Sequence, residues 1–373
     1  MRAGADVLLF SYLPLYLDGY VGETRYWLIS LMPATPALIR LIMAPHWGRR
    51  ADAAGSQRSY VVMGLLAYSV LLALLPSITQ TESIVLLTAL SAIPFSAFNP
   101  VARSWLTLQQ PAKGLLRLAR WHQWEACGYF VTAGLVGWLA MDEVASLVPL
   151  MRWMAGALAV CALVVIVFTR DMPAAVALSE FQALRRAAAR LARGSGRRVL
   201  PLSLLAFVLV SSLGWEAVAN MFGLYFTKEV GGPLHLYGAV ISASTLVSMA
   251  VYGLMADFGR KRGWRALLRF AAWGYTGMYA LMAVRSPWTV GAAYLIPMST
   301  FVHTACNVFV TEHVPEGQRG TALGRIESVE AGTILVGALA GGLLADHFGL
   351  YAVPLSVLAA SLLLHAVAAK AQR

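Results

Sequence analysis

The sequence predicts an all-α membrane protein of twelve transmembrane helices in two six-helix, pseudo-symmetric bundles. Three observations carry that expectation: a composition too apolar for water, a series of spanning-length apolar runs that falls into six, a pause and six, and an internal repeat at an offset of 205 residues. Of 373 residues, 59% are hydrophobic and 13% charged, with a mean hydropathy of +0.66; a soluble domain holds about 45–50% and about 25%. The 32 glycines and 16 prolines follow no short period, which excludes a collagen-like chain. Twelve spans of roughly 20 residues use about 240 of the chain, so no large extramembrane domain fits.

The apolar runs lie at 5–20, 26–47, 60–78, 83–106, 121–141 and 147–169, then at 200–226, 235–256, 266–284, 288–310, 326–345 and 350–369. They divide the chain into an N-terminal bundle at 1–170, a basic linker at 171–199 and a C-terminal bundle at 200–373. Around the linker stand Arg170, Arg185, Arg186, Arg190, Arg193, Arg197 and Arg198. Ser179-Glu180-Phe181-Gln182 has capping-box spacing, and Leu178, Phe181, Leu184, Ala188 and Leu191 share one face, so an amphipathic helix is expected there, on lipid headgroups or in solvent.

The formal charge of +11 belongs to a nucleic-acid surface or to a membrane protein with basic cytoplasmic loops, and position decides between them. Placing both termini and the linker inside leaves 23 of the 29 Lys and Arg on the cytoplasmic side and four outside, Arg25, Arg152, Lys228 and Arg285. Trp27, Trp47, Trp105, Trp138, Trp264 and Trp288 fall at span ends, as an interfacial belt requires. The expected setting is a cytoplasmic (inner) membrane, crossed many times, with no nucleic-acid partner. Cys127, Cys161 and Cys306 lie in apolar runs without C-x-x-C spacing, so no disulfide framework or metal site is expected.

The repeat is explicit. Gly48 through Asp52 closes span 2 and Gly253 through Asp257 closes span 8; Gly137 through Asp142 closes span 5 and Gly342 through Asp346 closes span 11. Arg120 and Glu125 at the start of span 5 recur as Arg325 and Glu330 at the start of span 11, again at 205. A three-helix unit repeated four times around a midplane site is secondary-transporter architecture. In span 1, Leu15-Tyr16 matches Leu224-Tyr225 at an offset of 209 and leaves no counterpart of Pro201, so the first helix is expected to lack its opening turns.

These residues resemble the major facilitator superfamily across essentially the whole chain. Gly48, Asp52, Gly55 and Arg58 match its loop signature between spans 2 and 3, and Gly253, Asp257, Gly259, Arg260 and Lys261 match the weaker copy between spans 8 and 9, one residue shorter. Ala53 and Ser56 depart from the basic residues usual there. The drug-antiporter arginine early in span 4 is absent from 83–95, while Arg40 and the Arg120-Trp121 pair are similar to the lactose-permease and nucleoside–proton symporter branch. The resemblance implies that Asp52 and Asp257 contact the starts of spans 11 and 5 when the cytoplasmic side is closed. A carboxylate at a helix N-terminus meets the positive dipole end, and here it also meets Arg325 or Arg120. Glu125 and Glu330 are candidates to complete this gate.

No phosphate loop, nucleophile elbow or zincin helix occurs, so an enzyme is not expected and no cofactor is needed beyond a proton gradient. Ionisable groups inside spans mark pathways, relays or paired contacts. Glu216 lies mid-span with Asn220 one turn later, either a carboxylate that charges and discharges during a cycle or a hydrogen-bonding group to a neighbouring helix. His303, with Asn307 at i+4, is either a titrating group or a neutral packed one. Arg40 either faces the cavity and binds an anionic group or snorkels to the interface. Trp124 and Tyr129 are candidates to line the cavity. The expected activity is proton-coupled movement of a small solute by one chain acting as a monomer; the alternatives are efflux of amphipathic compounds and a non-transporting scaffold or receptor of the same fold.

Overall fold

The computed structural model describes residues 1–54, 57–108, 114–140, 143–169, 200–314 and 319–370. The linker helix expected at 171–199 therefore lies outside the described residues, as do Gly55 and Asp142. Among the described residues every regular element is a helix. Helices alone satisfy their backbone groups without water, which is what an apolar chain in lipid needs.

In chain order, α1 is a rod of two α-helical pieces, Arg2–Asp6 and Leu13–Tyr16, separated and closed by π-helical turns at Val7–Tyr12 and Leu17–Val21. Then follow α2 (Tyr26–Ala54), α3 (Gln57–Leu74), α4 (Thr81–Phe95, resuming at Phe98–Leu108), α5 (Gly114–Ala140) and α6 (Leu147–Phe168). The second half holds α7 (Leu202–Leu224), α8 (Leu234–Arg262), α9 (Trp264–Met282), α10 (Pro287–Tyr294, resuming at Met298–His313), α11 (Arg319–Phe348) and α12 (Ala352–Lys370). Among the described residues nine segments are long and apolar enough to cross a membrane. The three helices standing at the other predicted spans carry the reason in their sequences: α1 is broken by π turns, α5 bears Arg117, Arg120 and Glu125, and α9 bears Arg265 and Arg269.

The breaks have local causes. Pro94 precedes the turn at Ser96 and Ala97 that interrupts α4, and the Trp47 indole donates to the Ile93 carbonyl at 2.9 Å and to Ser96 Oγ at 3.0 Å, satisfying groups the interrupted ladder leaves over. Pro297 likewise separates the two pieces of α10.

Each half repeats one packing plan: α3 lies on α6 as α9 lies on α12, and α1 on α5 as α7 on α11. The halves meet through α2 against α11 and α8 against α5, the pairing that a duplicated unit requires. The loops at 22–25, 75–80, 230–233, 283–286 and 349–351 mark one end, here termed the far end; the starts of α5 and α11 mark the other, the basic end.

Two glycines set how closely the halves approach. A Cβ on Gly137 would fall 2.7 Å from Gly238 Cα, and one on Gly342 would fall 2.5 Å from Ser30 Oγ and 2.7 Å from the Tyr26 carbonyl oxygen. Gly137 and Gly342 are the residues 205 apart in the repeat, so the repeated glycines are the equivalent crossing points of α5 on α8 and α11 on α2. Only a side-chain-free position admits backbone at this distance.

Candidate transport pathway

The far end is closed by contacts between the halves. Asp346, four residues past the Gly342 crossing, accepts from the backbone N–H of Tyr26 at 2.6 Å and of Trp27 at 2.7 Å, so its carboxylate caps the N-terminus of α2. Lys228 pairs with Asp18 at 2.5 Å across the same seam. Tyr237 donates to the Ser11 carbonyl at 2.8 Å, its ring stands edge-on to Tyr12 at 5.3 Å, and Ser242 donates to the Phe130 carbonyl at 2.9 Å. Within each half the same end is clasped again. The Arg285 guanidinium sits 3.6 Å above the Tyr351 ring and 3.2 Å from Glu229. The Arg25 guanidinium binds Glu23 at 2.8 Å and Glu82 at 2.6 Å, and its hydrogen bond holds the Glu23 carboxyl down at about 2.

At the basic end the expected latch residues engage within their own half. Asp257 pairs with Arg260 one turn along α8, while Arg120 and Arg325 are exposed. Gly48 and Asp52 stand on the last turns of α2, with side chains outside the described set. A Cβ on Gly253 would meet open space. Arg58 donates to the carbonyls of Ile166 at 3.1 Å and Thr169 at 2.9 Å, placing its charge on the carbonyl-rich end of α6.

Between the ends lies a set of ionisable side chains. In the N-terminal half Arg2, only 13% exposed, binds Asp6 at 2.7 Å, Glu125 at 2.7 Å and Asn99 Oδ1 at 2.6 Å; Tyr68 donates to Asp6 at 2.7 Å, and His122 lies 3.1 Å from Glu125. The Arg2-x-x-x-Asp6 spacing stacks the first pair on one helix face. In the C-terminal half His303 Nδ1 lies 3.3 Å from Glu330, and Asn220 Nδ2 donates to the Glu216 carbonyl at 2.6 Å and approaches its carboxylate at 3.5 Å. Asn307 donates to the Tyr252 hydroxyl at 3.0 Å, tying α10 to α8. Glu125 and Glu330, equivalent in the repeat, thus each face a basic group of their own half. Tyr129 is half-buried within electrostatic reach of Glu216, Trp124 is exposed, and Arg40 is half-buried on α2. Arg2 and Asp6 were not singled out from the sequence; their i,i+4 spacing is the signal that marks them.

A two-bundle helical membrane protein, closed at one end and carrying charged groups at mid-depth between its halves, has the architecture of a major facilitator transporter. The MFS_1 like family model matches residues 7–353, and the chain belongs to that family. In structure it is similar to a mutant form of the nucleoside transporter NupG, at a TM-score of 0.78, 12% identity and coverage of 99% of this chain and 96% of that one. It is also similar to a D-xylose-proton symporter, at a TM-score of 0.66, 15% identity and coverage of 97% and 95%. In sequence it is similar to the multidrug resistance protein MdtG of Escherichia fergusonii, 31% identical over 136 residues, which are 34% of this chain and 32% of that protein. The chain thus spans about a third of the length of the curated relatives it matches.

Proposed function

We propose that this chain is a secondary active transporter that carries a small solute across a cytoplasmic membrane by alternating access, with protons as the coupling ion. The observation that supports it most is the asymmetry of the two ends. The far end is latched by Asp346 on the α2 N-terminus and by the Lys228–Asp18 pair. The repeat-equivalent carboxylate Asp257, at the basic end, is held within its own helix. This is one arrangement of a two-state element whose other arrangement exchanges the engaged ends. With the basic end placed in the cytoplasm by the distribution of Lys and Arg, this reading takes the state with the latched far end as the inward-facing one.

Glu216 is the coupling group in this reading. It lies mid-helix between the halves and has Asn220, not a cation, as its hydrogen-bonding neighbour. The His303–Glu330 pair supplies a second site where a proton is exchanged along the same wall. The test is uptake into proteoliposomes under an imposed inward proton gradient, with a panel of nucleosides, sugars, carboxylates and cationic amphiphiles. Wild type accumulates one class of the panel; Glu216→Gln abolishes gradient-driven accumulation and retains exchange of the same solute across the membrane. Accumulation in Glu216→Gln equal to wild type refutes the coupling role.

A second reading, efflux of amphipathic compounds, is favoured by the 31% identity to a multidrug resistance protein. It predicts that expression in a pump-deficient bacterium raises tolerance to cationic amphiphiles and that Glu216→Gln removes the gain.

A further inference from the structure

Arg40 stands apart from the other charges of the pathway. Arg2 is held by two carboxylates and an asparagine, and His303 by Glu330. Among the described residues the Arg40 guanidinium has no hydrogen-bond or ion-pair partner, although it is half-buried on a membrane helix, where an uncompensated charge is costly. It borders a narrow cleft of about 10 Å³ lined also by Arg2, Tyr68, Phe95, Ser96 and Asn99. The two carboxylates bound by Arg2, Asp6 and Glu125, are both engaged with that guanidinium, so neither forms an ion pair with Arg40.

The opposite wall holds a carboxylate without a cation at ion-pair distance among the described residues. Glu216 has Asn220 as its hydrogen-bonding neighbour and interacts electrostatically with the Glu330 carboxylate and, less strongly, with Arg40. Counting along the helices at 1.5 Å per residue, Arg40 and Glu216 both lie about 20 Å from the far end. The pathway therefore presents a cation on one half and a carboxylate on the other at the same depth.

Resting on the transport reading above, we propose that the solute is a small zwitterion: a carboxylate held by Arg40 and an amine directed at Glu216. A guanidinium matches a carboxylate through two parallel N–H···O bonds, which a sugar or nucleoside hydroxyl does not reproduce. A solute bridging the two groups ties the halves together, gives each of the two side chains a charged partner and makes closure of the basic end favourable only when the site is filled.

The experiment uses the full chain in proteoliposomes, incubated with an aqueous extract of bacterial small metabolites under an inward proton gradient; retained solutes are identified by mass spectrometry. Wild type, Arg40→Lys and Arg40→Gln are compared with protein-free vesicles, and size exclusion and thermal unfolding establish that each variant is folded. The expected result is retention of solutes bearing both a carboxylate and an amine, lost roughly ten-fold or more in Arg40→Gln, the scale of a missing charge-assisted contact, and partly kept in Arg40→Lys. Retention of uncharged solutes by wild type overturns the zwitterion assignment while the transport reading stands, and does so without recourse to the variants. Equal retention of zwitterions by Arg40→Gln overturns the role of Arg40. No retention above protein-free vesicles overturns the transport reading and this inference with it.

Discussion

Replacing Asp346 with alanine removes the carboxylate that receives two backbone N–H groups at 2.6 and 2.7 Å. Loss of a helix cap costs about 1 kcal/mol, within a range of roughly 0.5–2. Loss of an anion at the positive end of a helix adds about 0.3–1 kcal/mol. Because Asp346 is solvent-exposed, the two contributions sum toward the lower end, about 1–2 kcal/mol. The contact exists only while the far end is closed, so the whole of this energy bears on the equilibrium between the two open states. A difference of 1–2 kcal/mol changes that ratio roughly 5- to 30-fold. Asp346→Asn keeps one acceptor oxygen and falls between alanine and wild type. The assay is electron–electron distance measurement in lipid nanodiscs between spin labels at Thr79 and Val284, both exposed at the far end and one in each half. Asp346→Ala enlarges the population with a separated far end by that factor. An unchanged distance distribution refutes the assignment of Asp346 as a latch.

Two further outcomes follow from charges elsewhere in the chain. Arg2→Gln removes the cation shared by Asp6 and Glu125, and breaking a buried pair such as Arg2–Asp6 from one side costs about 3–5 kcal/mol; a large fall in the thermal unfolding midpoint is expected, with recovery when Asp6→Asn is added. At the far-end loop the Arg25 hydrogen bond keeps the Glu23 carboxyl at about 2, below its ordinary 4.5. A depressed carboxyl stabilises the fold above the unfolded value, and that stabilisation is lost as pH falls from 4.5 toward 2. The difference in stability between wild type and Glu23→Gln is therefore full at about pH 6 and shrinks across that window; a pH-independent difference contradicts the pairing.

The fold was legible because a bilayer imposes length and polarity directly on the sequence, and because gene-level duplication left Gly137 and Gly342, and Glu125 and Glu330, at one offset. The offset announces equivalence of position. It does not announce partners, because those come from other helices. Glu125 and Glu330 read as candidates to complete a gate, and in this state their partners are Arg2 and His303. Arg2 escaped notice because it precedes the apolar run, yet α1 begins at that residue and its neighbours come from α4 and α5. Asp346 was visible as a repeat element without a task. Its task follows from the α2–α11 pair, whose opposite ends carry the two carboxylates Asp52 and Asp346.

The glycine crossings bear on the entropy of the transport cycle. Where Gly137 meets Gly238, and Gly342 meets Ser30 and the Tyr26 carbonyl on α2, one side of each contact carries no side chain. Side chains at a closing surface surrender rotamer freedom, up to about 2 kcal/mol each for long ones, whereas glycine has none to surrender. Bringing the far end together thus freezes little at these two points, and parting it liberates little. In the alternating-access reading proposed above, these points take little side-chain entropy out of closure, and preference for one state is left to the few charged contacts at the rims.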